Sequence, residues 1–309
     1  MRKAVQVTAA GARLFGTIHM PSGDGKLASP RIALLLLSFG QQPRSWIGDL
    51  GTAIAERAAA AGFLSFRFDM PGLGDSPGDL PLLRETIWRD IQMGAHSPYL
   101  HALCWELQEE YRLEGLVVGG LCGGAVTSLY AVNSSRVKLK GLLLLEPEIA
   151  LTNADAGMPS SPADERLDVE HFLERKELFF QRLFSFRSWR KLIAGKADYR
   201  YWKVLFVQSR ENLSRRFSHR RDYPPETNHG LLDAWDRARR RSIPTLVVSV
   251  ASASRRAYYR SYRLEPGIDQ PGTRLAWIEI PNTTHALLAG GAKDAICGYV
   301  AKWLSSLSS

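Results

Sequence analysis

Residues 4–9 and 12–19 alternate apolar and polar side chains around Ala10-Gly11, the period of two that predicts an antiparallel hairpin. The period then changes. The run IALLLL from Ile32 has no polar spacer, the mark of a strand buried on both faces, and it ends in Phe39-Gly40-Gln41-Gln42-Pro43. An alanine-rich stretch from about Ser45 to Ala61 predicts a helix stopped by Gly62. The segment FLSFRFDM from Phe63 predicts another strand, and Pro71 to Gly78 a dense turn. Helical spacing runs from Leu82 to Tyr111 with an interruption near Ser97-Pro98. Leu116 to Val118 predict a short buried strand that runs through Gly119-Gly120-Leu121-Cys122-Gly123-Gly124 into helical spacing at Ala125, Val126, Leu129 and Tyr130. The buried-strand signature returns at Lys140 and closes on Glu146-Pro147-Glu148, again at Ile243, and again at Arg274; a last helix is predicted from about Ala292 to Leu307.

Buried runs alternating with helices predict a mainly parallel, doubly wound α/β sheet. Residues 150–241 break the rhythm with a Ser, Pro and Asp-rich stretch followed by basic, aromatic helical segments, so the expected organisation is a core of 1–149 and 242–309 with an insertion at 150–241. A chain of 309 residues with 45% hydrophobic content can bury one large core. The charge sharpens this picture: residues 166–241 hold 19 Lys and Arg against 10 Asp and Glu, an excess equal to the whole-chain net charge of +9. The insertion has no recognisable nucleic-acid-binding module, so a basic face that attracts an anionic small-molecule or carrier-bound substrate is the more economical reading. No apolar stretch reaches the length of a membrane span, and a cytoplasmic location is expected. The three cysteines, Cys104, Cys122 and Cys297, are far apart and without clustered histidines, so neither zinc nor another metal or cofactor is expected.

Strand, glycine-packed turn and helix form the context in which G-x-S-x-G becomes a nucleophile elbow; here Cys122 stands where serine would be. Close packing alone would also explain a small cysteine at that point. A thiol becomes a nucleophile only as thiolate, which calls for a histidine to take its proton and a third group to orient that histidine. Of seven histidines, His285 lies just beyond the last predicted strand, at the same sheet edge as Cys122. His19 ends a hairpin strand, His96 and His101 lie in a helix, and His171, His219 and His229 lie in the insertion.

Nearly the whole chain resembles the α/β-hydrolase family, through RFDMPGLGDSPG after the fourth strand, the GLCGG elbow, the order nucleophile then histidine, and an insertion between the sixth and seventh strands that looks like the family's cap. More narrowly, FRFDMPGLGDSPG, GLCGG and FSFRSWRKLIAGK resemble the hydrolases associated with exosortase A systems. The resemblance implies a Cys122 acyl-enzyme with His285 as base, and an oxyanion hole built from Gly123 and one of Phe39, Gly40 or Gln41. It also implies an acid after the seventh strand, yet VVSVASASRRAYY from Val247 offers no carboxylate. Glu146, at the end of the sixth strand, is the substitute that some family members use; pairing with an arginine is the competing role for it. Asp269 and Glu265 are weaker candidates, and Ser252, Asn282 or a backbone carbonyl would hold the ring in a dyad. Asp69 and Asp75 are expected to fix a turn, and Trp189, Tyr199, Tyr201 and Trp202 to pack the cap. The activities implied are ester or thioester hydrolysis, acyl transfer to an alcohol or amine, since cysteine elbows also resemble those of polyester synthases, or binding without turnover.

Overall fold

The structure is a computed structural model that describes residues 1–21, 31–38, 40–150, 223, 227–262, 264, 274–289 and 291–307. In chain order its elements are β1 (Arg2–Ala9), β2 (Ala12–His19), β3 (Ile32–Leu37), α1 (Leu50–Ala60), β4 (Leu64–Phe68), α2 (Arg84–Gln92), α3 (Ser97–Glu110), β5 (Gly115–Leu121), α4 (Gly123–Leu129), β6 (Leu139–Leu145), α5 (His229–Arg240), β7 (Thr245–Val250), α6 (Ala253–Ser261), β8 (Leu275–Ile280) and α7 (Ala292–Ser306). The strands make one sheet of order β1-β2-β4-β3-β5-β6-β7-β8. β2 runs antiparallel to β1 and β4, and every other pairing is parallel. The chain moves outward from β3 to β4 and then returns across β3 to β5. The carboxyl ends of β3 and β5 therefore flank the point where the winding reverses, the crevice where ligands bind in open α/β sheets.

The uninterrupted apolar runs are explained by two buried faces. Leu34 and Leu36 pack with Val117, Leu143 and Val248 under Leu50, Ile54, Ile296 and Val300 of α1 and α7. Their neighbours Ala33, Leu35 and Leu37 face the other way, against Leu100, Leu103 and Leu107 of α3. Leu142, Leu144 and Val247 continue that second face beneath Val126 of α4 and Leu231 and Trp235 of α5. The last residues of the span expected as an insertion thus form a helix packed on the sheet. Ala150 and Thr227 form an antiparallel bridge, and the Asn228 N–H donates to the Ile149 carbonyl at 3.0 Å, so the ends of the intervening stretch meet beside β6. The rest of 150–241, including Trp189, Tyr199, Tyr201 and Trp202, lies outside the described residues.

One helix starts later than its alanine-rich pattern predicts. Trp46, Gly48 and Asp49 all have positive φ, of 62°, 62° and 57°, and a short 3-10 turn at Ile47–Asp49 precedes α1. The cause is tertiary. The Trp46 ring is buried beside the sheet, and its Nε1–H donates to the Leu37 carbonyl at 2.7 Å, which commits the loop to that packing. Pro98 opens α3 instead of breaking a helix, because its missing N–H falls in a first turn that has no use for it. Among the described residues no helix is long and apolar enough to cross a membrane.

Candidate active site

β5 and α4 meet at Cys122, whose backbone has φ 50° and ψ −111°. A non-glycine residue in such a conformation costs on the order of 1–3 kcal/mol, and it persists only where its surroundings over-determine it. They do so here. The Cys122 N–H donates to the Leu145 carbonyl at 2.8 Å, and the Cys122 carbonyl accepts from Val126 N–H at 3.0 Å. The turn is sharp enough that a Cβ on Gly120 would stand 2.3 Å from the carbonyl carbon of Gly124, and one on Gly124 would stand 2.7 Å from the Ser38 oxygen. No side chain fits at either position. On Gly123 a Cβ would lie 3.1 Å from both the backbone N and Cα of Gly40, so the loop after β3 and the elbow converge on each other. Gly40 itself has φ 51°, Gln41 is exposed, and Phe39 lies outside the described residues. The Trp88 ring of α2 closes the other side, 3.2 Å from the same Gly123 position.

The loop after β8 carries His285, and β6 ends at Glu146, which also has a positive φ of 46°. Glu146 is fully buried, and both of its oxygens are occupied. Oε1 accepts from Val250 N–H at 2.5 Å. Oε2 lies 3.0 Å from His285 Nδ1, 2.6 Å from Arg255 Nε and 2.5 Å from Arg255 Nη2. Burial pushes the Glu146 carboxyl up, but the bond to His285, the positive charge of Arg255 and the Val250 N–H outweigh it and hold the group below the usual carboxylate range. Arg255 reaches further: Nη1 is 3.2 Å from Glu148 Oε1, and Nη2 is 3.1 Å from His285 Nδ1. Its guanidinium also stands over the rings of Tyr258 and Tyr259 at 5.2 and 5.5 Å. Arg255 sits in the first turn of α6, where its N–H is capped by the Ser252 hydroxyl at 3.1 Å.

No protein-family profile and no curated protein sequence matches the chain. Solved structures do. A thermophilic esterase from Thermogutta terrifontis, solved with malate bound, superposes with a TM-score of 0.53 at 18% identity, over 99% of this chain and 100% of that one. An α/β serine hydrolase without a lid from Xanthomonas campestris gives 0.53 at 13% identity, over 99% and 94%. The chain has the α/β-hydrolase fold. The haloalkane dehalogenase DatA from Agrobacterium tumefaciens C58 superposes as well, at 0.54 and 16% identity over 99% and 97%, so this fold by itself does not select a chemistry.

Within the α/β-hydrolase fold, the carboxylate that reaches the histidine comes from the end of β6. The two roles weighed for Glu146 turn out to be compatible, since one oxygen meets both His285 and Arg255. Arg255 was not nominated from the sequence: the stretch after β7 that lacks a carboxylate supplies a cation instead. Ser252 is occupied as a helix cap, and Asn282 lies in a left-handed turn at φ 53°. Asp269, Glu265, His171 and His219 lie outside the described residues, and His229 packs edge-on against Tyr223. Asp69 is buried and accepts from Asp75 N–H at 3.2 Å and from Arg44 N–H at 2.6 Å, with the Arg44 guanidinium bridging Asp69 and Asp75. Cys104 and Cys297 are buried, and burial pushes both thiols up. Among the described residues no group of three or more His, Cys, Asp and Glu could hold a metal ion.

Proposed function

We propose that this protein hydrolyses an ester or thioester through an acyl-enzyme on Cys122. The observation that carries the reading is the contact of 3.0 Å between His285 Nδ1 and Glu146 Oε2 on the sheet edge that also bears the strained elbow cysteine. A carboxylate that accepts from Nδ1–H leaves Nε2 as the basic nitrogen. In this reading His285 Nε2 takes the Cys122 thiol proton as the sulfur adds to the substrate carbonyl carbon. The carbonyl oxygen becomes an oxyanion that the Gly123 N–H and a second N–H from Gly40 or Gln41 would meet, a role for which Phe39 was the third candidate. Collapse expels the alkoxide or thiolate leaving group, which receives the proton from His285. Water then repeats the sequence on the thioester, with His285 again as base, and releases the acid and the free thiol.

Interception of the acyl-enzyme by an alcohol or amine in place of water is the second reading. The identity of the nucleophile favours it, because a cysteine acyl-enzyme is a thioester and stays reactive towards such acceptors. The basic segment 166–241 supports an anionic acyl donor, such as a coenzyme A or carrier-protein thioester. The narrower resemblance to exosortase-associated hydrolases would give the reaction an exopolysaccharide setting, and a cytoplasmic one would keep the thiol reduced.

The test is incubation with short p-nitrophenyl esters and acyl thioesters, with and without an alcohol acceptor, while intact-mass spectrometry follows the acyl adduct. The expected result is an adduct on Cys122 that is lost in Cys122→Ala, and an acylation rate that falls about 10²-fold or more in His285→Ala. Release into water supports hydrolysis, and transfer to the acceptor supports the second reading. Turnover retained in Cys122→Ala would refute both.

A further inference from the structure

Two groups contend for one nitrogen. His285 Nδ1 lies 3.0 Å from Glu146 Oε2 and 3.1 Å from Arg255 Nη2. A carboxylate only accepts, so the first contact needs a proton on Nδ1; a guanidinium only donates, so the second needs a lone pair there. A neutral imidazole satisfies one at a time. With the proton on Nδ1, Nε2 carries the lone pair that can take a thiol proton; with the lone pair on Nδ1, Nε2 already carries a hydrogen and is useless as a base. What restrains Arg255 therefore matters as much as what Glu146 contributes.

Arg255 is tied at three nitrogens. Nε and Nη2 meet Glu146 Oε2 at 2.6 and 2.5 Å, and Nη1 meets Glu148 Oε1 at 3.2 Å. Glu148 leaves the end of β6 two residues after Glu146 and is itself buried. Among the described residues the charged and titratable groups against the guanidinium are Glu146 and Glu148 from the β6 end, Tyr258 and Tyr259 from α6, and His285 from the loop after β8. Burial pushes the two phenols up, so they stay neutral at working pH. Among these described groups Arg255 cancels one carboxylate, and the second leaves a net charge of −1.

We propose that Glu148 is a positioning residue: it holds the Arg255 guanidinium on the two carboxylates, which leaves the proton on His285 Nδ1, and it supplies the net negative charge that the imidazolium faces. The inference rests on the reading of Cys122 and His285 as nucleophile and base.

The experiment uses the full chain with 15N-labelled histidine, whose NMR signals report which ring nitrogen carries the proton. Alongside it, the rate of Cys122 alkylation by iodoacetamide is followed against pH. In Glu148→Ala the neutral ring is expected to shift towards the Nε2–H form. Alkylation at pH 7 is expected to fall about tenfold, the scale of one unit charge acting through a partly buried site. Glu148→Gln keeps an oxygen for Nη1 without the charge, so it should show the slower alkylation while retaining Nδ1–H; this isosteric variant carries the test if the alanine variant does not fold. Adding Arg255→Met to Glu148→Ala removes the competitor and should restore Nδ1–H, a rescue that a merely structural role would not produce. An unchanged tautomer and pH profile in both Glu148 variants, with Cys122 still alkylated fastest in the wild type, overturns this inference alone. Wild-type Cys122 alkylated no faster than Cys104 and Cys297 overturns it together with the catalytic reading.

Discussion

Replacing Glu146 by Gln keeps the shape of a fully buried side chain while removing its charge and one acceptor. The carboxylate receives N–H groups on both sides, from Val250 at Oε1 and from Arg255 and His285 at Oε2. An amide has one oxygen, so in either orientation its NH2 meets a donor. Turned towards Val250, it leaves a buried backbone N–H unpaired; turned towards His285, it forces a lone pair onto Nδ1 and spoils the base. The electrostatic loss has a ceiling. A unit charge about 4 Å from an imidazolium, at an effective dielectric constant of about 20, is worth about 4 kcal/mol, which at 1.36 kcal/mol per tenfold is about 10³ in rate. Two effects lower it: the thiolate itself stabilises the imidazolium, and Arg255 can settle towards Glu148. The expected loss of acylation is about 10²-fold, against about 10⁴ when a serine triad's acid becomes an amide. The p-nitrophenol burst from p-nitrophenyl acetate measures it. Urea unfolding at pH 7 should show a parallel loss of about 3 kcal/mol, the low end for breaking a buried ion pair, because Arg255 keeps Glu148. Acylation within threefold of wild type would refute the reasoning and leave the ring held as a dyad. A 10⁴-fold loss would deny the thiolate–imidazolium pair its partial self-sufficiency.

Three further outcomes are expected. Gly120→Ala places a methyl against the Gly124 backbone, which cannot move aside, so denaturant unfolding should show a loss of about 3 kcal/mol or more; a loss below about 1 kcal/mol would contradict the elbow geometry. His19 is buried and accepts from Arg67 Nε at 3.0 Å, and burial followed by the charges of Arg67, Arg2 and the amino terminus pushes it down to about 4. The unfolded chain therefore binds the extra proton between pH 6.5 and 4, and stability present above 6.5 drains away as the pH falls through that window, by about 3 kcal/mol. His19→Gln, which offers an amide oxygen to Arg67 and does not titrate, should flatten that part of the urea-derived pH profile, and parallel wild-type and variant profiles would count against it. If segment 166–241 attracts an anionic thioester, the second-order rate constant should fall as salt rises from 0.1 to 1 M and the Debye length shrinks from about 10 to about 3 Å; a flat salt dependence removes that idea.

Local pattern sufficed wherever the cause was local. The buried runs at β3, β5, β6 and β7 reveal a sheet covered on both faces, because no polar residue interrupts either side of the pleat. GLCGG announces its own turn, because the collision that requires Gly120 involves Gly124 and Ala125, only a few positions away. The grouping at His285 has a different origin. Glu146, Arg255 and His285 are separated by 109 and 30 residues, and they meet only because β6, β7 and β8 lie side by side with their carboxyl ends together. Glu146 could be nominated from the sequence, since it ends a buried run. Arg255 could not, because an arginine in a helix's first turn looks the same whether it points to water or into a carboxylate pair. The delayed start of α1 likewise depends on the Trp46 ring finding its acceptor at Leu37, the end of β3, which no alanine-rich stretch can encode. Periodicity records which side of an element is buried; which charges face one another across that burial follows from strand order.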